Sequence, residues 1–163
     1  EKFENPVKLD RILKSITSEN SPYSGVFIPG GHGAMINLPE SREVKEVLKW
    51  SIKENKKIIT LCHGPAALIS GNINESGFLF ENYEMTVFPD SIDEGANQEI
   101  GYMPGKLKWL LAEKLESLGA KIVNEAISGQ VHIDRNLITG DSPLAANQLG
   151  IVAVDELLKM VNK

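Results

Sequence analysis

The chain has 163 residues, 42% of them hydrophobic and 24% charged, which is enough for one real core and favours a single domain spanning residues 1 to 163. Its net charge of −5 argues against a sequence-independent nucleic-acid binder, which needs a basic face. A single cysteine excludes an internal disulfide, and neither a signal peptide nor an apolar run of membrane-spanning length is visible, so a reducing cytoplasm is the expected compartment.

Leu9, Ile12, Leu13 and Ile16 recur at helical spacing and predict a first helix. The polar Ser18 to Ser24 stretch ends it, and residues 25 to 29 read as a short buried strand followed by a Gly30-Gly31-His32-Gly33 turn. Val44, Val47, Leu48 and Ile52 mark the next helix, with Arg42, Glu43, Lys45, Glu46 and Lys49 on a solvated face. Ile58, Ile59 and Leu61 form an apolar run suited to a strand covered on both faces. Cys62-His63-Gly64-Pro65 then turns that strand sharply into a helix, because Gly64 permits a tight turn and Pro65 fits a first helical turn. Residues 84 to 88 predict a strand stopped by Pro89. Leu107, Leu110, Leu111 and Leu118 define a third amphipathic helix closed by Gly119. Lys121 to Asn124 reads as a strand, and residues 131 to 133 and 137 to 139 as a hairpin joined by Asp134-Arg135-Asn136. Pro143 to Val161 makes the last helix, with Leu149, Val152, Leu157, Leu158 and Val161 facing inward. This order describes an α/β sandwich, a mostly parallel sheet between helices, which binds ligands at the C-terminal ends of its strands.

Chemical groups gather at those ends. At the elbow, Cys62 is expected to be strained and accessible, with a helix N-terminus beside it that favours the thiolate and lowers its pKa. The alternative is a small buried hydrophobe, as lone cysteines often are. Glycines beside a nucleophile let backbone N–H groups approach a developing oxyanion, although the Gly30 to Gly33 segment also reads as a plain turn. No Gly-Lys-Ser/Thr follows it, so it is not a phosphate loop. His63 is the candidate general base, and Asp93 or Asp90 the carboxylate that holds its imidazole in one tautomer, with loop capping the other role open to both aspartates. His32 and His132 read as structural or merely nearby. Three scattered histidines without ligand spacing give little support for a metal site.

Pro29-Gly30-Gly31-His32-Gly33, Leu61-Cys62-His63-Gly64-Pro65-Ala66-Ala67, Phe88-Pro89-Asp90 through Asp93, the run from Glu99 to Gly105 and the run from Leu137 to Pro143 together resemble the ThiJ/PfpI superfamily. Within it they are similar to the branch containing heat-shock protein 31, to which the Glu-Ile-Gly-Tyr-Met-Pro-Gly and Thr-Gly-Asp-Ser-Pro stretches narrow it. The resemblance implies a flavodoxin-like sandwich of the class I glutamine-amidotransferase type. It implies Cys62 as nucleophile, His63 as general base, Asp93 as orienting carboxylate, and an oxyanion hole from backbone groups near Gly31 and His63. The implied activities are a glutathione-independent glyoxalase III that converts methylglyoxal to lactate, a protein and nucleotide deglycase, and a stress-induced holding chaperone for unfolded clients. Its partners would be 2-oxoaldehydes and glycated proteins, with no cofactor, no metal and a homodimeric assembly.

Two other readings stand beside this one: a cysteine peptidase or amidohydrolase of the PfpI type, and a chaperone alone. A glutamine amidotransferase fits less well, since that family has Gly two residues before the cysteine, where Thr60 stands, and His-Pro-Glu where this chain has His132-Ile133-Asp134. In one respect the chain departs from the resemblance. The family's first strand, ending in a glutamate that bonds the cysteine sulfur, and the branch's metal-binding residues all belong upstream of Val26, where this chain reads as helix and linker. The expectation is a domain lacking its N-terminal strands, with Val26, Phe27, Ile58 and Ile59 left uncovered until a missing segment or a second polypeptide packs on them and brings that glutamate.

Overall fold

In a computed structural model, described for residues 4–161, the chain forms six strands and six α-helices with three 3₁₀ segments among them. Helix α1 (Leu9–Ile16) leads to β1 (Gly25–Ile28), a 3₁₀ turn (His32–Met35) and α2 (Arg42–Lys53). Ser41 starts α2 by accepting a hydrogen bond from the Val44 N–H, satisfying one of the donors that a helix start leaves open. Then come β2 (Lys57–Leu61), a 3₁₀ helix (Gly64–Asn72), the short β3 (Glu84–Met85), α3 (Asp90–Glu94), α4 (Ala96–Glu99), α5 (Leu111–Ser117) and the short β4 (Lys121–Ile122). The chain closes with β5 (Val131–Asp134), β6 (Leu137–Gly140), a 3₁₀ turn (Pro143–Ala145) and α6 (Ala146–Val161).

The main sheet has the order β1-β2-β6-β5. β2 pairs in parallel with β1, Val26 opposite Ile58, and with β6, Ile59 opposite Ile138, while β5 and β6 form the expected antiparallel hairpin. β3 and β4 make a separate parallel pair. Beyond β3 the chain is carried toward β6 by side chains: the Thr86 N–H donates to Thr139 Oγ1 at 2.9 Å, and Asn124 and Val87 exchange two hydrogen bonds of 2.9 Å. That tether delivers Pro89 and α3 to the C-terminal end of β2, where the Phe88 N–H donates to the Cys62 carbonyl at 3.1 Å.

Two apolar clusters lie on opposite faces of the sheet. One joins Leu48 of α2, Ile58, Leu68, Met85, and Leu111 and Leu115 of α5; the other joins Ile59 and Ile138 to Leu149 and Ala153 of α6. Helices on both faces of a mostly parallel sheet constitute the flavodoxin-like sandwich that the sequence implies.

Several details differ from the sequence reading. Of the four residues expected to lie uncovered, Ile58 and Ile59 are buried, covered by the two layers, Val26 is half-buried, and only Phe27 is exposed, at 57%. Lys45 is not on a solvated face; its ammonium donates to the Ile73 carbonyl at 2.6 Å and pairs with Glu75 at 2.7 Å, because a long stem can bury against apolar neighbours while its head finds oxygen. Leu158 points outward from α6, and the side chain of Val161 lies outside the described residues. α5 begins only at Leu111, Leu107 lying before it, because Asp90 caps it there: its two oxygens accept from the Ala112 and Glu113 N–H groups, each at 2.9 Å.

Candidate active site

Cys62 follows directly on β2 with φ +61°, a left-handed conformation that costs a non-glycine residue on the order of 1–2 kcal/mol. Two glycines make this elbow possible. A Cβ on Gly64 would lie 2.6 Å from the Ile28 carbonyl oxygen, and one on Gly30 would lie 2.6 Å from both the Leu61 carbonyl oxygen and the Cys62 Cβ. The ends of β1 and β2 are therefore pressed together, and their two motifs meet.

Around the elbow the side chains form one connected line. Cys62 Sγ lies 3.3 Å from His63 Nδ1, and His63 Nε2 lies 2.7 Å from Asp93 Oδ2. Asp93 is the first-turn acid of α3 that faces inward. Its other oxygen, Oδ1, accepts from Asn97 Nδ2 at 2.8 Å and lies 2.9 Å from His32 Nε2, and Gln98 Nε2 donates to its backbone carbonyl. The ring of His63 stacks on Phe88 at 4.6 Å and lies 4.0 Å from the ring of His32, centroid to centroid. Asp90, the other carboxylate considered from sequence, caps α5 and makes no contact of this kind. His132 lies on β5, 3.4 Å from the Glu84 carboxylate without hydrogen-bond geometry, away from the elbow.

The electrostatics correct one expectation. Burial pushes the Cys62 thiol up, helped by the charges of Asp93 and Asp141, and the facing backbone N–H groups of Gly31 and His63 only partly offset this. Cys62 is 6% exposed, so the desolvation of a sulfur anion outweighs the helix start that was expected to favour the thiolate, and the accessible low-pKa thiolate expected there is a buried thiol. Burial likewise lowers the His63 pKa, against the raising effect of its bond to Asp93, and the nearby His32 lowers it further. Burial also works against the Asp93 carboxylate, yet the donors His63, His32 and Asn97 together hold it below the usual carboxylate range. The resting arrangement is a neutral imidazole, fixed by an ionised carboxylate, with its free nitrogen on a thiol. Such a site can move the thiol proton to His63 as sulfur attacks an electrophile.

His32, His63 and Asp93 also bring three donor atoms within 4.8 Å of one another. The 2.7 and 2.9 Å separations are hydrogen bonds between the imidazoles and the carboxylate, so the nitrogen atoms point at Asp93 and the cluster is a proton-bonded set. Sequence reasoning set His32 aside and passed over Asn97. The available signal for His32 was topological: Gly30-Gly31-His32 ends the strand next to the one that ends in Cys62, and parallel neighbours deliver their C-terminal loops to one place. Among the described residues, no helix is long and apolar enough to cross a membrane.

Relatives sharpen the picture. The chain is 50% identical over 161 residues, 99% of its length, to the protein/nucleic acid deglycase HchA of Staphylococcus aureus (strain bovine RF122 / ET3-1). It is 51% identical over 160 residues, 97% of its length, to the protein of that name from Pseudomonas aeruginosa (strain LESB58). Each match takes in 55% of the relative, so the chain spans about half the length of these proteins. The Rapid Encystment Protein of Francisella tularensis superposes with a TM-score of 0.70 at 25% identity, over 93% of this chain and 61% of that one. Glyoxalase III of Candida albicans superposes with a TM-score of 0.68 over 87% of this chain and 60% of its own, at 19% identity, a likeness of fold alone. The pattern of the DJ-1/PfpI family itself matches residues 2–100, which take in β1, the glycine turn, the Cys62 elbow and Asp93, and the chain belongs to that family.

Proposed function

We propose that these residues form the catalytic centre of a protein and nucleotide deglycase that also acts as a glyoxalase III on 2-oxoaldehydes, working without a cofactor. The observation that carries this reading is the unbroken line from Cys62 Sγ through His63 to Asp93, with His63 Nδ1 at 3.3 Å from the sulfur. The name of the half-matching relatives, protein/nucleic acid deglycase, supports the substrate class.

For methylglyoxal, sulfur attacks the aldehyde carbon as His63 Nδ1 takes the thiol proton, and the same proton passes to the aldehyde oxygen to give a hemithioacetal. His63 then removes the hydrogen of that carbon, giving an enediolate; the hemithioacetal hydroxyl proton moves to the neighbouring oxygen, and His63 returns its proton to the carbon that bears that oxygen. The product is a thioester, which water cleaves to lactate and the free thiol. Backbone N–H groups of Gly31 and His63, which already face the sulfur, would stabilise the oxyanion of attack. Early glycation adducts on cysteine, lysine or arginine would be released by the same nucleophile. In the working protein, residues outside this chain would cover β1 and bring the family's glutamate to the sulfur; within the described residues the side-chain hydrogen bond of that sulfur goes to His63.

The test is lactate formation from methylglyoxal by the full-length protein. Wild type should turn over, and Cys62→Ala and Cys62→Ser should abolish turnover with the fold intact by circular dichroism. Retention of most activity in Cys62→Ala would reject the reading.

A further inference from the structure

We propose that His32 is a positioning residue of this site: it holds the second oxygen of Asp93 and so fixes the His63 imidazole with Nδ1 toward Cys62. The inference rests on the reading of Cys62 as nucleophile and His63 as its base.

A carboxylate that orients an imidazole has one oxygen to spare, and rotation about its terminal torsion is soft. Here the spare oxygen is occupied twice, by His32 Nε2 at 2.9 Å and Asn97 Nδ2 at 2.8 Å, while Oδ2 is left to His63 at 2.7 Å. Rotation of the carboxylate would break all three bonds together. With Asp93 so pinned, His63 keeps its proton on Nε2 and leaves Nδ1 open to the thiol. His32 is poorly explained as packing. Its side chain is 22% exposed, it opens a 3₁₀ turn between two glycines, and its ring lies 5.9 Å from that of Tyr102 on the solvent side of the site.

The same placement has an electrostatic effect. Asp93 is shared by two imidazoles with centroids 4.0 Å apart, and one carboxylate supports one positive charge far better than two. The titratable groups around His63 are Cys62 on its own elbow, Asp93, the more distant Asp90 at the start of α3, and His32 from the turn after β1; of these, His32 is the one whose electrostatic influence opposes protonation of His63. An exchange of His32 for glutamine keeps an N–H donor for Oδ1 but removes the titratable ring, which separates the two effects.

Three forms of the full-length protein, wild type, His32→Leu and His32→Gln, are compared by methylglyoxal turnover and by the rate at which iodoacetamide alkylates Cys62, across pH. His32→Leu should lower kcat by about tenfold with KM nearly unchanged, the scale of one charge-assisted hydrogen bond, and lower the alkylation rate near neutral pH in proportion. His32→Gln should recover most of both rates, yet in both variants the acid limb should move to higher pH, since the charge that resists His63 protonation is gone. Rates and limbs that coincide in all three forms overturn the proposal, as does a rate loss in His32→Leu that His32→Gln leaves unrepaired. Alkylation is measured without aldehyde, so a protein that fails to turn over methylglyoxal but shows the His32-dependent alkylation pattern retires the aldehyde chemistry and upholds the positioning role.

Discussion

The two flanks of β2 are built to different standards. On the β6 side, every residue of the neighbouring strand is buried, Leu137 and Ile138 completely, and α6 closes the face with Leu149 and Ala153. On the β1 side, the neighbouring strand is an edge, Phe27 is 57% exposed, and an apolar groove of about 440 Å³ runs between α1, β1 and α2, lined by Leu9, Ile12, Ile16, Val26, Phe27 and Trp50. Yet the C-terminal ends of both flanks converge tightly on the elbow: β1 delivers Gly30 and His32, and the segment tethered to β6 delivers Asp93. The chemistry sits where both sides are closed, so the openness of the β1 edge and the integrity of the site are separable properties.

The largest expected effects test the closed end. His63→Ala should cost on the order of 10²-fold or more in kcat for methylglyoxal in the full-length protein, the usual scale for a lost general acid or base. Asp93→Asn should act in the same direction through the His63 tautomer. Asp90→Asn, three residues away on the same short helix, should weaken α5 by about 1 kcal/mol as a lost cap does, and leave kcat close to wild type. Equal loss of kcat in the two aspartate variants would show that the site and its scaffold are not separable.

Next come the flanks themselves. Ile138→Ala, in the closed face, should cost about 2–5 kcal/mol in chemical denaturation, from lost transfer energy and the cavity left behind. A cost below about 1 kcal/mol would mean that the β6 side is no better packed than the β1 side.

Much of this organisation was legible in the sequence, for physical reasons that differ by element. The parallel strands were readable because residues buried on both faces leave continuous β-branched runs, as in Ile58-Ile59, and the elbow because Gly64 leaves room for the Ile28 carbonyl and Pro65 suits a first helical turn. From the residue pattern alone Asp93 and Asp90 were not separable, and only the family resemblance singled out Asp93: both are acids in one helical turn, and which of them bonds His63 depends on the Thr86 and Asn124 tethers that aim α3. The thiol's pKa was misjudged because burial depth is a property of packing, invisible in a local motif. Lys45 was misplaced for the same reason, its partner Glu75 lying thirty residues away.

The pH dependence of stability follows from these shifts. Asp93 and Asp141 have lowered pKa values in the fold, Asp141 because bonds from the Ser128 and Gln130 N–H groups and the Ser142 hydroxyl outweigh its burial. Their contribution is present above the unfolded carboxylate value, about 3.9, and is lost as pH falls through the folded one. His63, also lowered, prefers to stay neutral, so acid begins to destabilise the fold already as pH drops through about 6.5. Cys62 has the opposite sign: raised in the fold, it costs stability as pH rises past about 8.5. Thermal melting across pH should show a plateau between those limits, with Cys62→Ala flattening only its alkaline edge. An alkaline fall of equal size in Cys62→Ala would place the cause elsewhere.

The smallest effect in this chain is expected at Phe27, and it sharpens the comparison most. More than half of that ring is already in water, so Phe27→Ser in the 163-residue chain should shift unfolding free energy by about 0.5 kcal/mol or less, as exposed substitutions usually do. It should at the same time make the isolated chain less prone to self-association, because an edge strand with an apolar groove beside it is a template for pairing with another chain. In the full-length protein the same substitution should cost about 1.5–3 kcal/mol, the value of burying an aromatic side chain, if residues outside this chain cover β1 as proposed. An equally small effect in both contexts, with unchanged self-association, would mean that the β1 edge stays open in the working protein, and the family's glutamate would then have to reach Cys62 by some route other than a strand laid along β1.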